Sequence, residues 1–575
     1  MDLQYQRNTR GTFAFTGLAT ANSTIVADLP AGATPYSTDG AYGGADVRAL
    51  ADYLAGYVAS SSFTEGVLRR SIYQKAFDAF VQDQFQVVPK LTLNYGLRYT
   101  YNGPFSSPGV LSDFRPGTAG ADAYGLRIAG QNLSSIYPKD GTNLAPRFGF
   151  SYQAARKFVV RGTYGIYFDV PNYNGFFDNR PGNGAAAGVQ ANPAGATPVV
   201  NVSNSFYQWQ TGVDPFSAAS GPAAQGLATI SPNFRTAYIQ NFNVNTQYQL
   251  NRNTILQIGY VGSLGRRLFD LIDTNQAAPG SGLANGTTTT ATLQAGRPYY
   301  NDIAIANAKK IGAIDQFESE GTSNYNSGQV LLRTSNYHGL TAQASYTYGH
   351  ALDVVSGTRG FAPQNSANLA GDYGNADFDV RHTFNGYVVY EAPKFTDHLQ
   401  VLTNGWQGNA FITAFTGIPV AVKLGTSTDR SETGEFQDRP DLIGNPTAGL
   451  TRTLFRPTTA GASPYVQWLS NSNGAFALAP IGTFGTLQRN ALRGPGFATV
   501  DASVVKNTKI RGRVTLQLRA ELFNIFNHTN LANPSVGTLS SSTFGRITST
   551  RNNASAPGIG SGEPFNVQFA GKLVF

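Results

Sequence analysis

In the stretch "LTLNYGLRYTY" (91–101), Leu91, Leu93, Tyr95, Leu97, Tyr99 and Tyr101 hold every second position. Thr92, Asn94, Gly96, Arg98 and Thr100 fill the places between. Side chains on a strand point alternately to opposite faces, so one face of this strand is greasy and the other wet. "FNVNTQYQL" (242–250) and "RVTLQLRAEL" (513–522) repeat the pattern, and so does the closing "EPFNVQFAGKLVF" (563–575). In the last, Phe565, Val567, Phe569, Leu573 and Phe575 share one parity while Asn566, Gln568 and Lys572 lie on the other. Similar alternation occurs near 72–88, 144–153, 157–169, 253–269, 324–334, 338–350, 377–391, 403–416 and 496–506. With an opening strand near 3–15, about fourteen strands are expected.

Two architectures accept such strands. A soluble sandwich turns its apolar face to a dry core, whereas a membrane barrel turns it to lipid and keeps a wet interior. Many of the segments match the roughly 9–11 tilted residues that cross a bilayer. The connections separate the two. Tight links at 87–90, 153–157, 250–254, 334–339, 391–400 and 505–512 alternate with long Gly/Pro/Ser/Asn-rich ones at about 16–70, 103–143, 170–235, 270–323, 351–376, 417–495 and 525–562. Structureless links longer than roughly 12–15 residues are uncommon in compact domains. Outer-membrane barrels have this asymmetry, with short periplasmic turns and long extracellular loops. The fold class that follows is all-β: a transmembrane antiparallel β-barrel whose partner is outer-membrane lipid. With the tight turns in the periplasm, both chain ends fall on that side and the strand number is even.

Composition agrees. Charged residues are only 13% and the 12% of aromatics is nearly all Phe (37) and Tyr (29), a strand-forming mixture. Mean hydropathy is −0.21, which excludes no barrel because alternation hides the lipid face. Cysteine is absent, so no disulfide or thiolate metal site is possible. The net charge of +8 is not gathered into blocks, and nucleic acid is not expected as a partner.

Five segments carry a family resemblance: "YQKAFDAFVQDQFQVVPKLTLNYGLRYTYNGP", "NLAPRFGFSY", "YIQNFNVNTQYQLNRNTILQIGYVGSLGRRL", "DFDVRHTFNGYVVYEAP" and "RAELFNIFNHTNL". In this order they resemble the TonB-dependent outer-membrane receptors, specifically the Oar-like group common in Acidobacteria. The resemblance implies a 22-stranded barrel around an N-terminal plug, in a Gram-negative outer membrane. It implies energised uptake of an unidentified ligand, driven by the TonB–ExbB–ExbD complex of the inner membrane. Phe575 resembles the terminal aromatic that the barrel assembly machinery reads, with Phe565, Val567, Phe569 and Leu573 behind it. No apolar leader, plug or TonB-contacting segment is seen, so residues 1–575 read as the C-terminal barrel portion of such a receptor. An adhesion or envelope-organising barrel without transport is the alternative.

Candidate site residues come from the polar parity. Arg98, Arg147, Arg161, Arg381 and Arg519 are placed to line the lumen with Glu521, either as a path for anionic ligands or as structural pairs with Glu521, Asp501 or plug carboxylates. "DFDVRH" (377–382) clusters Asp377, Asp379, Arg381 and His382, but parity sends His382 to the other face. His338, His350, His398 and His528 show no metal-ligand spacing. "RPGNGAAAG" (180–188) and "GIGSG" (558–562) lack the Gly-Lys-Ser/Thr of a phosphate loop. No catalytic, metal or cofactor residue is therefore expected, and the chain does not read as an enzyme. Tyr99, Tyr101, Tyr164, Tyr167, Tyr346, Tyr348 and Tyr390 suit an interfacial aromatic girdle.

Overall fold

The structure is a computed structural model that describes residues 2–4, 12–15, 44–56, 60–65, 69–106, 111–118, 125–130, 132–170, 186–191, 225–281, 296–300, 311–357, 363–394, 399–425, 428–459, 461–551 and 564–575. One sheet dominates. Its strands are β1 (Ala76–Val88), β2 (Leu91–Asn102), β3 (Leu144–Ala155), β4 (Phe158–Phe168), β5 (Tyr238–Gln249), β6 (Thr254–Asp273) and β7 (Ile311–Tyr337). They continue as β8 (Leu340–Asp353), β9 (His382–Glu391), β10 (Trp406–Phe415), β11 (Phe497–Arg511), β12 (Val514–Phe523) and β13 (Asn566–Val574). The sheet follows chain order from β1 to β13, each strand antiparallel to the next. In such a meander successive links must lie on opposite rims. All the tight links therefore share one rim and all the long ones share the other. The β7–β8 turn shows how a tight link is made: His338 and Gly339 both have positive φ, 51° and 83°. Two left-handed residues match the twist of the flanking strands.

Register carries parity across the sheet. Tyr248 faces Leu256, Leu256 faces Leu332, Leu332 faces Ala344, Ala344 faces Gly386, Gly386 faces Ile412 and Ile412 faces Val500. Val567, Phe569 and Leu573 continue this apolar face opposite Leu522, Ala520 and Leu516. Among the described residues nothing packs behind it: Ile258 is 51% exposed, Val330 40%, Leu518 50% and Phe569 80%. A contiguous greasy face left open on a one-layer sheet is what lipid covers. Among the described residues no helix is long and apolar enough to cross a membrane.

The buried apolar clusters sit elsewhere. One gathers Ile72, Phe105, Leu111, Ile136, Tyr137, Ile230, Phe234 and Phe317, and another Val420, Val422, Leu469, Phe476, Leu487 and Phe544. Both are built mainly from the long links, which thus fold into a packed rim.

Three expectations are corrected. The described residues of the opening stretch near 3–15 do not join the main sheet: Asp2–Gln4 pairs with Arg69–Ser71 and Thr12–Ala14 with Ser60–Glu65. Its would-be lipid face carries Arg7, Thr9 and Gly11 between Tyr5 and Phe13, and a charge at mid-membrane is costly. The strand expected at 324–334 is 27 residues long. Its first part projects beyond the slab that about ten tilted residues span, and there Ile311, Ile314 and Phe317 are buried without alternation. Residues 377–381 form no strand; side chains hold them in a turn.

Among the described residues β1 and β13 are sheet edges and do not pair with each other. Hydrocarbon offers an unpaired backbone edge no hydrogen bond.

Neighbouring positions on β7 test the two faces. Val330→Arg puts a charge on the apolar face and is expected to cost about 2–4 kcal/mol. Gln329→Arg, on the other face, is expected to change little. Urea unfolding in lipid vesicles, followed by heat-modifiable gel mobility, measures both.

Candidate functional site

The polar face is lined with amides and arginines. Register sets Ser151 opposite Arg161, Arg147 opposite both Gly96 and Gly165, and Glu521 between Ser503 and Gln568. Arg98 and Arg147 line one cavity of about 680 Å³ with Phe80, Gln82, Asn94 and Thr163. There Arg98 Nη2 lies 3.1 Å from Asp78, and the Arg147 guanidinium stacks 4.6 Å over the ring of Tyr167. Arg161 donates to Gln247 Oε1 at 3.4 Å. Far along the sheet, Arg519 donates to Gln517 Oε1 at 2.7 Å and approaches Glu521 at 3.8 Å. The structure thus brings Arg98 and Arg147 to one cavity, sets Arg161 opposite Ser151 farther along β4, and leaves the Arg519–Glu521 pair elsewhere. Tyr167 is not part of a girdle, because its ring lies on the polar face beneath Arg147. Tyr164 faces Phe242 and Tyr346 faces Phe384 on the apolar side, where a girdle belongs.

Arg381 belongs to a third place, the rim of long links, where "DFDVRH" is clasped. Asp379 is buried and accepts from Arg381 Nε at 3.0 Å, from the Ala351 N–H at 2.7 Å and from Arg493. Arg381 also donates to His350 Nε2 at 2.6 Å and to Asn375 Oδ1 at 3.2 Å. Beside it, Arg489 pairs with Asp353 and reaches Asp377 at 3.3 Å, and Asn490 donates to Asp377 at 2.6 Å. Arg489 and Arg493 belong to the β10–β11 link, whereas Asp353, Asp377 and Asp379 belong to the top of β8 and the β8–β9 link. The clasp therefore locks two long links together. His382 lies on the apolar face, its Nδ1 2.7 Å from the hydroxyl of Tyr346. Among the described residues no three His, Asp or Glu side chains converge as metal ligands.

Two further ion groups tie the same link to its neighbours. Arg439 pairs with Asp372. Arg297 pairs with Asp273 at the end of β6 and lies 3.8 Å from Glu435. Burial, then hydrogen bonding to Asp273, pushes the Glu435 carboxyl well above the usual carboxylate range. Burial also raises Asp438, to about 6. Lys423 is lowered by burial and by nearby Arg439, and lines a cavity of about 220 Å³ with Arg439, Arg489, Asp372 and Asp377. The arrangement is electrostatic scaffolding around small polar hollows.

Sequence reasoning found Asp377, Asp379 and Arg381 of the main clasp and missed Asp353, Arg489 and Arg493. Arg489 and Arg493 lie over a hundred positions from their partners, and nothing local in "LQRNALRGPG" (487–496) marks them. The glycine-rich 558–562 lies outside the described residues, as does 180–185; Ala186–Ala191 is a strand paired with Ser60–Glu65.

Residues 1–568 match the sequence family described as an outer membrane beta barrel domain. No curated protein matches the sequence. Among solved structures the chain is similar to the outer membrane transporter YddB from Escherichia coli (9% identity, TM-score 0.39, 90% of this chain and 55% of that one). It is similar to the ferripyoverdine receptor of the outer membrane of Pseudomonas aeruginosa (9%, 0.40, 87% and 38%). A third is the ferric-catecholate import receptor Fiu from E. coli (12%, 0.36, 90% and 46%). The chain spans less than two thirds of the length of each.

Arg493→Ala leaves the buried Asp379 with a single guanidinium and is expected to cost about 2–3 kcal/mol, toward the low end for a broken buried pair. Faster proteolysis of the 416–496 link, with the strands intact, is the readout. Glu435 adds a pH dependence. Its proton is held more tightly in the folded rim than in the unfolded chain, so its contribution is complete below the ordinary carboxylate range and is lost as pH rises through the folded value. The link is expected to resist protease better at pH 6 than at pH 9, and Glu435→Gln to flatten that difference.

Proposed function

The chain belongs to the outer membrane beta barrel domain family and resides in the outer membrane; from that premise we propose that it is the barrel of an Oar-like TonB-dependent receptor. It takes up a ligand captured at the rim of long links, with energy delivered by the TonB–ExbB–ExbD complex through a plug region. The barrel assembly machinery inserts it, and it catalyses no covalent chemistry. What carries the reading is the packed rim. A passive pore needs only an open mouth, whereas here buried ion pairs fix several long links into a shaped surface above a polar, arginine-bearing face. The five Oar-like segments, met in order along the chain, add support. Arg98 and Arg147, which line one cavity, give the polar face a basic stretch along the uptake path.

Adhesion is the second reading, favoured by Ile443, Leu454 and Phe455, which leave apolar surface exposed on the outer links.

The test is uptake by cells expressing the complete gene, offered labelled ferric siderophores, cobalamin, maltooligosaccharides and tripeptides with and without an uncoupler. Energy-dependent accumulation of one class, lost on deleting the gene, is expected. Surface binding without accumulation of any class overturns transport in favour of adhesion.

A further inference from the structure

Three long links and the projecting part of β7 line an open hollow of about 440 Å³ that neither the polar face nor the clasp uses. Its walls are Phe114, Arg115, Pro116 and Thr118 from the β2–β3 link, Ser231, Pro232 and Asn233 from the β4–β5 link, Tyr299 from the β6–β7 link, and Gln316, Glu318 and Glu320 from β7. The volume falls within the roughly 300–1,000 Å³ of small-molecule sites.

The charges at its two sides are unanswered. Glu318 is buried and stands opposite Asp270 in the β6–β7 register, and Asp270, fully buried, accepts the Glu320 N–H at 3.3 Å. The second oxygen of Asp270 has no hydrogen-bond partner. Among the described residues none of these three carboxylates forms an ion pair; Glu318 is met only by neutral groups such as Gln316 Nε2, at 2.5 Å. Facing carboxylates on adjacent strands repel one another, and burial makes the repulsion stronger. Burial, with the neighbouring Glu318 and Glu320 charges, raises Asp270 to about 7. On another wall, Arg115 keeps a side chain 46% exposed, and its nearest acid, Asp113 at 3.9 Å, is already taken by Arg127. Between them Phe114 and Tyr299 meet edge to face at 4.9 Å, an apolar wall, and the exposed side-chain amide of Asn233 can pair with a peptide group.

We propose that this cavity binds a short zwitterionic peptide, its ammonium held by Glu320 and Glu318 and its terminal carboxylate by Arg115. The assignment deepens the uptake reading by naming a ligand class, but binding itself needs no energy input.

Triglycine, N-acetyl-triglycine and triglycine amide are titrated calorimetrically into the full chain purified in detergent, with heat-modifiable mobility confirming its fold. Triglycine is expected to bind, and blocking either end to weaken it at least tenfold. Glu320→Gln should weaken triglycine by a similar factor and leave N-acetyl-triglycine unaffected. Arg115→Ala should do the same for triglycine relative to the amide. Equal affinity for the three peptides, no binding of triglycine by the folded protein, or binding indifferent to both substitutions overturns the proposal. If triglycine binds as stated but cells never accumulate it, the uptake reading fails and this one stands. If energised uptake is found for another class while triglycine does not bind, the reverse holds.

Discussion

Hydrocarbon offers no hydrogen bond to a peptide group, and that single fact orders the molecule. Each spanning strand must pair its backbone on both sides, so the chain meanders through one sheet rather than stacking two. A one-layer sheet has no interior. Its apolar residues cannot serve as a core, and they remain open on one face, as Ile258, Val330 and Leu518 do. Its polar residues meet water on the other face, where Asn and Gln side chains bond across strands: Gln257 to Asn245, and Asn409 to Ser503.

The stabilising work of a core is displaced upward as a result. Apolar clusters form only where the long links meet, above the level that lipid covers, and each is modest. Ion pairs join them. A buried pair adds little net stability over an apolar substitute, because desolvation offsets the attraction, but it is demanding about geometry. Arg489 and Arg493 satisfy carboxylates from another link, and Arg297 fastens the β6–β7 link to the end of β6 and to Gly434. Links held this way keep one arrangement with respect to one another, which a shaped binding surface needs and a flexible fringe cannot supply.

The same division explains how far the sequence could be read. Inside the membrane, environment alternates with every residue, so parity in "LTLNYGLRYTY" or "FNVNTQYQL" was sufficient to place strands, faces and the order of links. The polar parity of Arg98, Arg147 and Arg161 was legible for that reason. Above the membrane alternation loses its cause. Ile311, Ile314 and Phe317 are all buried, and the projecting half of β7 and its parallel partner Gln225–Ile230 left no periodic trace. The clasp partners were invisible because pairing across distant links has no local signature. Asp83 is an exception within the spanning region. It sits on the apolar face, 2.9 Å from the hydroxyl of Tyr95, and only the cross-strand register reveals the pairing.

Rim and membrane are continuous in one element. The β6–β7 hairpin crosses the bilayer with Ile258 opposite Val330, bulges near Gly265 and Leu268, and ends in the rim carrying Asp270, Asp273 and Glu318. Its neighbour β8 likewise runs from the His338–Gly339 turn to Asp353, which Arg489 holds. A load placed on the rim is therefore borne by strands whose other ends lie at the periplasmic turns. The β6–β7 ladder is continuous except at its bulges, where Arg266, Arg267 and Phe269 have no register partner. Rim and spanning ladder are thus one continuous element, interrupted at Gly265–Leu268, since a bulge breaks the regular hydrogen-bond spacing and bends its strand.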